Sequence, residues 1–352
     1  MTPLHTLVRL PRDQGWPLGA GTAVLALVLV LLAGTVQLGA VPVNAADWVA
    51  PWRVETMSGG AQVLWQLRVP RALLALGVGA GLGLAGTLAQ GLFRNPMADP
   101  GLLGITSGGA CAAALVLTLF AGAHTPVPEV WRPWVLPAAA LAGGLTVCFG
   151  LDRLARWLTP GSVAGLLLTG LALNALTMAV VGLCSFLATD EQLRSLNFWT
   201  LGSLAGGHWG VVVVLGAVLV LALPASLHLS NGLNALALGE AAAGHVGLDV
   251  ARLRAQVIAL VALLCGLSVA WCGVIGFIGL MAPHLARLLV GADQRRLLPL
   301  AAGLGGALLL AADTVARTIA LPAEIPVGIF TALLGAPLFL AMLRGAARSG
   351  TT

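Results

Sequence analysis

Two side chains in this sequence are candidates for covalent chemistry. Ser107, within a Ser-Gly-Gly stretch, is a candidate nucleophile, and His284 is a candidate base. A serine and a histidine within hydrogen-bond reach of each other are the minimum that an intramembrane hydrolase requires. Ser107 follows a predicted helix break, however, where a capping or packing serine is expected. The hydrolase therefore stays an alternative from another functional class, and we predict no catalytic residue.

The histidines and cysteines do not form a predicted metal or haem site. Histidine is a common axial ligand of haem iron, but none of the six histidines stands in a convincing ligand position. The five cysteines lie in apolar stretches without paired ligand spacing, so we interpret them as small buried hydrophobic residues. They are Cys111, Cys148, Cys184, Cys265 and Cys272. We therefore expect no metal and no cofactor bound by this chain.

The absence of lysine bears on how ATP could be used. All 18 basic residues are arginine. A phosphate-binding loop of the ATPase kind requires a Gly-Lys pair within a glycine-rich turn. This chain therefore cannot be such an ATPase, and any ATP and Mg²⁺ that power it would be used by a partner subunit.

The densest group of polar residues lies between Arg68 and Gly109. It begins with Arg68-Val-Pro-Arg71, continues through a glycine-rich apolar stretch, and reaches Gln90-Gly-Leu-Phe-Arg-Asn-Pro-Met-Ala-Asp-Pro-Gly101. Two prolines, Pro96 and Pro100, predict a helix break between Arg94 and Gly101. A broken backbone at membrane depth is tolerated only where it lines a cavity or is buried in protein. An ordinary turn would explain the prolines but not so many polar groups.

Composition places the elements around this break in a membrane. The chain has 352 residues, of which 59% are hydrophobic and 9% charged, and a mean hydropathy of +0.97. Too few ionisable groups are present to cover a water-soluble globule of this size. The net charge of +5 does not indicate nucleic-acid binding, because no basic cluster interleaved with aromatic residues occurs. The 46 glycines are typical of closely packed membrane helices.

Apolar segments predict an all-α polytopic bundle of ten transmembrane helices in a single permease domain over residues 1–352. The approximate segments are 18–41, 70–92, 101–121, 134–151, 162–187, 209–228, 254–274, 276–291, 297–318 and 326–343. The eighth is short and contains His284 and Arg287. Arg9 and Arg12 precede an apolar run that could mimic a secretory signal, but the run is too long and further spans follow.

The arginine distribution predicts the orientation. An even number of helices places both termini on one side, and more arginines fall inside if that side is the cytoplasm. The long connection from Asp190 to Trp209 would then lie outside, as an amphipathic re-entrant half-helix. The connection at about 230–254 would lie inside, as short helices broken at Gly232, Gly239, Gly244 and Gly247. Such a loop is a natural surface for a partner protein.

Several of these segments together resemble the signature of the permeases that import iron-siderophores, haem and cobalamin, the type II ABC importers. The resemblance covers about residues 66–348. Beyond the Arg68–Gly109 region it continues through Gly239–Leu248, Gly273–Arg287, Asp313–Arg317, Glu324–Gly328 and Gly335–Phe339.

The resemblance implies an assembly in the bacterial inner membrane. The permease would be a multi-pass homodimer of ten-helix subunits with the translocation path on the dimer axis. Its partners would be two cytoplasmic ABC ATPase subunits, a periplasmic substrate-binding protein, the cargo and the lipid bilayer, with no nucleic acid.

The resemblance also implies roles for single residues. Asn95 and Met97 match the family's cytoplasmic gate, although leucine is more common at the second position. Arg68, Arg71 and Arg317 match arginines that receive acidic residues of the binding protein. Alternatively, the side chains of these arginines extend to the membrane–water interface, or Arg317 pairs with Asp313 one turn earlier.

Two further sets come from the predicted loops. The resemblance implies that ATPase coupling involves Gly239, Glu240, Ala241, Ala242, Gly244, His245 and Gly247, the last falling one position late relative to the general importer pattern. The candidates for a half-helix on the periplasmic side of the pathway are Phe198, Trp199 and Ser203.

The cargo is predicted less directly than the class. Gly91–Gly104 together with Phe198–Leu204 looks most similar to haem permeases, so haem is the predicted cargo. A ferric siderophore or cobalamin is the alternative, since those permeases share most of these residues. A passive channel, which would carry flux without ATP, is a third possibility.

Overall fold

The computed structural model describes residues 18–49, 58–120, 128–160, 162–320 and 323–349. Among these residues the secondary structure is helical, with no strand. Arg9 and Arg12, which entered the prediction of orientation, lie outside the described residues. The long helices are α1 (Leu18–Gln37), α4 (Val69–Phe93), α5 (Ile105–Leu115), α6 (Arg132–Leu158), α7 (Val163–Leu187), α9 (Trp209–Leu236), α11 (Val250–Cys272), α12 (Ile278–Val290), α13 (Gln294–Thr318) and α14 (Val327–Ser349).

Short helices connect or extend the long ones. Four are α-helical: α2 (Ala45–Trp48), α3 (Gly59–Gln62), α8 (Asp190–Thr200) and α10 (Glu240–His245). A π-helical segment, Val63–Arg68, joins α3 to α4, so that the chain is helical from Gly59 to Phe93. A second one, Val116–Phe120, extends α5.

Seven of the described helices are long and apolar enough to cross a membrane. They comprise α1, the continuous helix that ends in α4, α6 with its preceding turn, α7, α9, α11 and α13. The shorter apolar helices are Ile105–Leu119, Ile278–Val290 and Val327–Ala341. Multi-pass membrane insertion is therefore confirmed, while a count of ten spans stays a prediction.

Helix α4 is at the centre of the bundle, and its glycines bring its backbone against its neighbours. A Cβ atom on Gly79 would lie 2.2 Å from the carbonyl oxygen of Gly305 in α13. One on Gly86 would lie 1.9 Å from the carbonyl oxygen of Gly279 in α12. Only a residue without a side chain permits such approach. These contacts agree with the interpretation of the glycines as residues of closely packed helices.

The two long connections differ in how well they were predicted. The first contains a helix where one was predicted, α8, begun by Thr189, whose hydroxyl accepts from the Gln192 N–H; its re-entrant position stays a prediction. In the second connection the predicted break at Gly232 is wrong, because α9 continues to Leu236. Gly244 likewise lies inside α10. At Gly232, where a Cβ would meet Leu248 and Leu253, packing against these side chains keeps the glycine helical. Gly244 is exposed and is helical without such packing.

Candidate pathway, docking and coupling sites

The break after α4 is confirmed, and its polar side chains shape it. Arg94 ends α4 in the left-handed conformation, with φ of 51°. The side-chain oxygen of Asn95 accepts from the Met97 N–H at 2.9 Å, which closes a tight turn. Asp99 accepts from the Gly101 N–H at 2.7 Å and begins a 3₁₀ turn over Pro100–Leu103. Asn95 is exposed and Met97 half-buried, so both predicted gate residues lie at the surface of this turn.

Beneath this turn is a buried polar group that the sequence analysis missed. We call Gln90, Arg287 and Gln294 the glutamine–arginine cluster. An Arg287 Nη donates to the side-chain oxygen of Gln90 at 2.9 Å. The amide of Gln294 lies against Gly91, with its nitrogen 3.1 Å from where a Cβ would be. These residues join the ends of α4, α12 and α13.

The glutamine–arginine cluster is incompletely hydrogen-bonded. Among the described residues, the buried side-chain atoms without a partner are Nε2 of Gln90, Nη1 of Arg287 and Oε1 of Gln294. Buried polar groups normally have partners, and an unpaired one costs about 1–3 kcal/mol. Three such atoms at one junction mark a place where the hydrogen bonding can change. The sequence signal that could have revealed this cluster is the occurrence of one arginine, Arg287, and two glutamines, Gln90 and Gln294, at the ends of apolar helices.

At the opposite end of α4 lies a charged network. We call Arg68, Arg71, Asp313, Arg317 and Glu324 the arginine cluster. Arg71 donates to both oxygens of Asp313, at 2.9 to 3.2 Å, and to both oxygens of Glu324, at 2.8 and 2.9 Å. The Asp313 side chain is fully buried, whereas Glu324 is 47% exposed. Arg71 thus bridges α4, α13 and the segment before α14.

Arg68 and Arg317 are committed to the end of α1. Arg68 is 7% exposed and donates to the carbonyl oxygens of Val36, Gln37 and Val41 at 2.6 to 3.1 Å. Arg317 donates to the carbonyl oxygens of Thr35 and Leu38. Its Nε lies 4.0 Å from Asp313, so the predicted pair exists but is long. Both guanidinium groups satisfy carbonyls that a helix end leaves without partners.

The candidates predicted for a periplasmic half-helix lie where the end of α8 meets the end of α11. Phe198 is exposed, while Trp199 is half-buried against hydrophobic side chains. The Ser203 N–H donates to the carbonyl oxygen of Cys272 at 2.8 Å. A Cβ on Gly273 would lie 2.0 Å from the Trp199 carbonyl oxygen. The end of α8 is therefore fixed against the end of α11.

The predicted coupling residues form one small helix and its flanks. Gly239 and Gly247 have φ of 110° and 81°, so glycine is required where the chain enters and leaves α10. Glu240 pairs with Arg254 at 3.0 Å. Ala241, Ala242, Gly244 and His245 are exposed. The Glu240–Arg254 pair holds the start of α10. The small exposed side chains of α10 leave room for the surface of a partner protein.

The structure does not bring the hydrolase candidates together. The Ser107 hydroxyl donates to the Gly104 carbonyl oxygen at 3.1 Å and contacts the side-chain oxygen of Asn174. No hydrogen bond among the described residues joins it to His284. Within that part of the chain there is also no group of three potential metal ligands. Four of the five cysteines are buried, as expected, and Cys111 is partly exposed.

Comparisons with known proteins agree with this architecture. The FecCD transport family matches residues 25–345. The chain is 40% identical to the hemin transport system permease protein HmuU of Yersinia pestis, over 90% of this chain and 92% of that protein. It is 37% identical to the cobalamin import system permease protein BtuC of Halobacterium salinarum, over 95% and 96%.

A solved structure has the same fold. It is described as an inward-facing conformation of a metal-chelate type ABC transporter, and it matches with a TM-score of 0.78 at 33% identity. The match covers 94% of this chain and 99% of that one.

The Arg71–Asp313 pair yields a test of stability. Arg71→Gln leaves the fully buried Asp313 without its main partner, so we expect the free energy of unfolding to fall by about 3–5 kcal/mol. The double variant Arg71→Gln/Asp313→Asn removes both charges and should recover most of that loss. Unfolding of the purified permease in detergent measures both.

The control is Arg156→Gln, which breaks the pair with Asp152, in which the arginine side chain is 62% exposed and the carboxylate is not fully buried. It should cost less than about 1 kcal/mol. Equal losses for Arg71→Gln and Arg156→Gln would show that the arginine cluster does not stabilise the fold.

Proposed function

The chain belongs to the FecCD transport family, and from that premise we propose that it carries haem across the inner membrane as a ten-helix homodimer. The class is established by the family: this is a permease subunit of the metal-chelate, haem and cobalamin type of ABC importer. It is a transport component and not an enzyme, and ATP hydrolysis lies in a separate subunit. Haem as cargo, dimerisation and the cytoplasmic location of both termini are the proposal.

The similarity to a hemin permease across nine-tenths of both chains supports haem as the cargo. A cobalamin permease is almost as similar, so cobalamin is the alternative to be tested, together with a ferric siderophore. The chain needs no firm metal ligand for this role, because a pathway must release what it binds.

We propose a mechanism of alternating access in a single permease domain. Cargo delivered at the outer mouth, near Phe198, Trp199 and Ser203, would enter a cavity between two copies of the chain. The turn at Asn95 and Met97 would close it toward the cytoplasm. Movement of α10, bound to the partner ATPase, would shift the helix ends around that turn.

The contact of α10 with the ATPase is testable at Ala242, which is exposed. Binding of the ATPase that is unchanged by Ala242→Trp would contradict this contact.

Reconstitution tests the cargo. The permease is placed in vesicles with its ATPase and binding protein, and ATP-dependent uptake of haem, a ferric siderophore and cobalamin is compared. We expect haem uptake to exceed the other two by at least about tenfold, a difference of roughly 1.4 kcal/mol.

The control is an ATPase whose phosphate-binding lysine is replaced by alanine, which should abolish uptake. Uptake of cobalamin or the siderophore without haem would overturn the cargo, while leaving the importer class intact. Flux that persists with the lysine variant would instead indicate a passive channel.

If Asn95 and Met97 form the gate, replacing them with larger residues should reduce cargo flux more than it reduces ATP hydrolysis. Asn95→Trp and Met97→Trp put bulk at the surface of the turn and leave the residues of α10 unchanged. We expect cargo flux to fall several-fold more than ATP hydrolysis, both measured in the same vesicles. Leu289→Trp is the matched control, because Leu289 is exposed near the end of α12, whose Arg287 contacts the last turn of α4. Equal losses of flux and hydrolysis would argue against a gate.

The docking role of Arg68, Arg71 and Arg317 requires an exchange of partners. All three guanidinium groups already bind acceptors of this chain, and of the two carboxylates among these acceptors Glu324 is exposed and Asp313 is fully buried. We propose that an acidic side chain of the binding protein replaces Glu324 at Arg71. Asp313 would remain paired, so the buried charge is never left alone.

This exchange predicts the effect of Glu324→Gln. Removing the competing carboxylate frees one edge of Arg71, so we expect the association rate of the binding protein to rise about threefold or more at low salt. Surface plasmon resonance on the detergent-solubilised permease measures the rate. Glu129→Gln, at an exposed glutamate paired loosely with Arg132, should change it little. A slower association in Glu324→Gln would mean that Glu324 itself contacts the partner.

A further inference from the structure

Two asparagines near the end of α9 bind the start of α13. Asn231 and Asn234 are spaced so that they share one face of α9. The Asn231 side-chain oxygen accepts from Nε of Arg295 at 2.6 Å. The Asn234 side chain binds twice, because its oxygen accepts from the Gln294 N–H at 3.0 Å and its nitrogen donates to the Asp293 carboxylate at 2.7 Å. We call Asn231, Asn234, Asp293 and Arg295 the asparagine junction.

The bond to the Gln294 N–H is a helix cap that another helix supplies. The first N–H groups of an α-helix have no partner within the helix and are normally bound by the residue just before it. At the start of α13 the Asp293 side chain accepts from the Arg295 N–H at 3.1 Å, whereas the acceptor of the Gln294 N–H is Asn234. Movement of α9 away from α13 would take this acceptor away. The two helix ends are therefore held together.

One side of the asparagine junction leads directly into α10. Helix α9 ends at Leu236, whose carbonyl oxygen accepts at 2.9 Å from the N–H of Gly239, the residue before α10. Leu233 and Leu236 are buried, so the last turn of α9 is packed against the bundle. A short, hydrogen-bonded connection of this kind passes a displacement of α10 on to the end of α9.

The other side of the junction reaches the turn after α4. The Gln294 side chain, 6% exposed, lies against Gly91, with its nitrogen 3.1 Å from where a Cβ would be. The carbonyl oxygens of Gln90 and Gly91 accept from the N–H groups of Asn95 and Arg94, at 3.1 and 3.3 Å respectively. The residue that Asn234 caps therefore also contacts the base of this turn.

The Gln294 side chain has a reason to change its position. Its buried oxygen has no partner in the part of the chain that the structure describes, and the same holds for Nε2 of Gln90 and Nη1 of Arg287. The Gln294 oxygen is an acceptor and the other two atoms are donors. A displacement of α13 that brought them together would form hydrogen bonds that the present arrangement lacks. Coupling between two sites requires an element with two such arrangements.

We propose that the asparagine junction transmits movement of α10 to the turn at Asn95 and Met97, with Asn234 as its main positioning residue. This inference rests on the proposed gate and on the proposed contact of α10 with the ATPase. Movement of α10 displaces the end of α9, and Asn234 carries the start of α13 with it. The Gln294 side chain then shifts against Gly91, at the base of the turn.

A direct contact between the two sites is the alternative route. A Cβ on Gly239 would lie 4.0 Å from Nη1 of Arg94, so the side chain of the residue that ends α4 reaches the start of α10. Among the described residues no hydrogen bond joins this guanidinium to α10. The asparagine junction consists of hydrogen bonds, and it is therefore the more rigid link.

Cysteine labelling in the assembled transporter tests the route. Met97→Cys serves as the common background, in nanodiscs with the partner ATPase, and its rate of modification by a maleimide is measured with and without a non-hydrolysable ATP analogue. The unsubstituted permease corrects for the native cysteines, four of which are buried. We expect the nucleotide to change the rate in the background and Asn234→Ala to remove that change. Protection of Ala242→Cys by the ATPase, which reports assembly, should persist in Asn234→Ala.

Transport provides a second measurement. In vesicles with the ATPase and the binding protein, we expect Asn234→Ala to lower cargo uptake about fivefold more than ATP hydrolysis, since mutations along such contact networks change coupling by about 2- to 30-fold. Asn231→Ala removes only the exposed bond to Arg295. It should lower the ratio of uptake to hydrolysis less, and it keeps the test valid if Asn234→Ala does not fold.

An exchange of side chains separates the hydrogen bonds from the stability of the fold. Asn234→Asp places two carboxylates against each other and should abolish the nucleotide response. The double variant Asn234→Asp/Asp293→Asn reverses the amide and the carboxylate, so the bond between them and the bond to the Gln294 N–H are available again. The response should return. Ser162→Ala is the matched control, because Ser162 caps α7 by accepting from the Gly165 N–H at 3.0 Å and joins no second helix. It should lower the unfolding temperature and retain the response.

Three results would overturn the proposal. The first is a nucleotide response of Met97→Cys that persists in Asn234→Ala, and its loss in Arg94→Gln instead would identify the direct contact as the route. The second is an equal loss of response in Ser162→Ala, which would mean that reduced stability alone removes it. The third is a Met97→Cys background that does not respond to nucleotide at all. That result would overturn the proposed gate together with this inference, and it is distinguishable because it appears before any change to the asparagine junction.

Discussion

The close backbone contact of α4 with α13 and α12 is the constraint on which the other features depend. At Gly79 and Gly86 no side chain can be accommodated, because a carbonyl oxygen of the neighbouring helix occupies its place. In a bilayer the association of helices relies on such packing, since apolar surface gains little by leaving lipid. α4 is therefore fixed along its middle. With 25 residues it extends roughly 37 Å, enough to connect the two faces of a membrane.

The two ends of α4 contact polar and charged side chains, whereas its middle is apolar and closely packed. At one end the fully buried Asp313 must be paired, because an isolated buried carboxylate would be very costly. Arg71 supplies that pair, and Arg68 and Arg317 attach the poorly buried α1 by its terminal carbonyl groups. At the other end, Gln90 and Arg287 hold the last turn of α4 just before its backbone breaks. A packed middle and polar ends allow the ends to change partners while the helix stays in place.

Sequence reasoning predicted the elements better than their partners. Apolar length, the two prolines near Arg94 and the amphipathic segment after Asp190 gave the helices, the break and the half-helix, since each signal is local. The pairing of Arg71 with Asp313 and Glu324 joins residues more than two hundred positions apart, and no local pattern encodes it. Glycine was the ambiguous residue: it breaks the chain at Gly239 and Gly247, where φ is positive, but not at Gly232 or Gly244. Packing against Leu248 and Leu253 accounts for the helical Gly232, whereas the exposed Gly244 shows that glycine content alone does not locate a break.

Alternating access needs groups whose hydrogen bonding has two arrangements of similar free energy, and the two polar clusters differ in how they could provide it. In the arginine cluster every guanidinium group is occupied, so a change requires an incoming carboxylate, and only the exposed Glu324 can be displaced without stranding a buried charge. In the glutamine–arginine cluster three buried atoms have no partner among the described residues, so a shift of α12 or α13 by a fraction of a helical turn could gain hydrogen bonds. A partner would drive the exchange at one end of α4, and an internal rearrangement would follow at the other. Together they would serve the alternating access proposed for this permease.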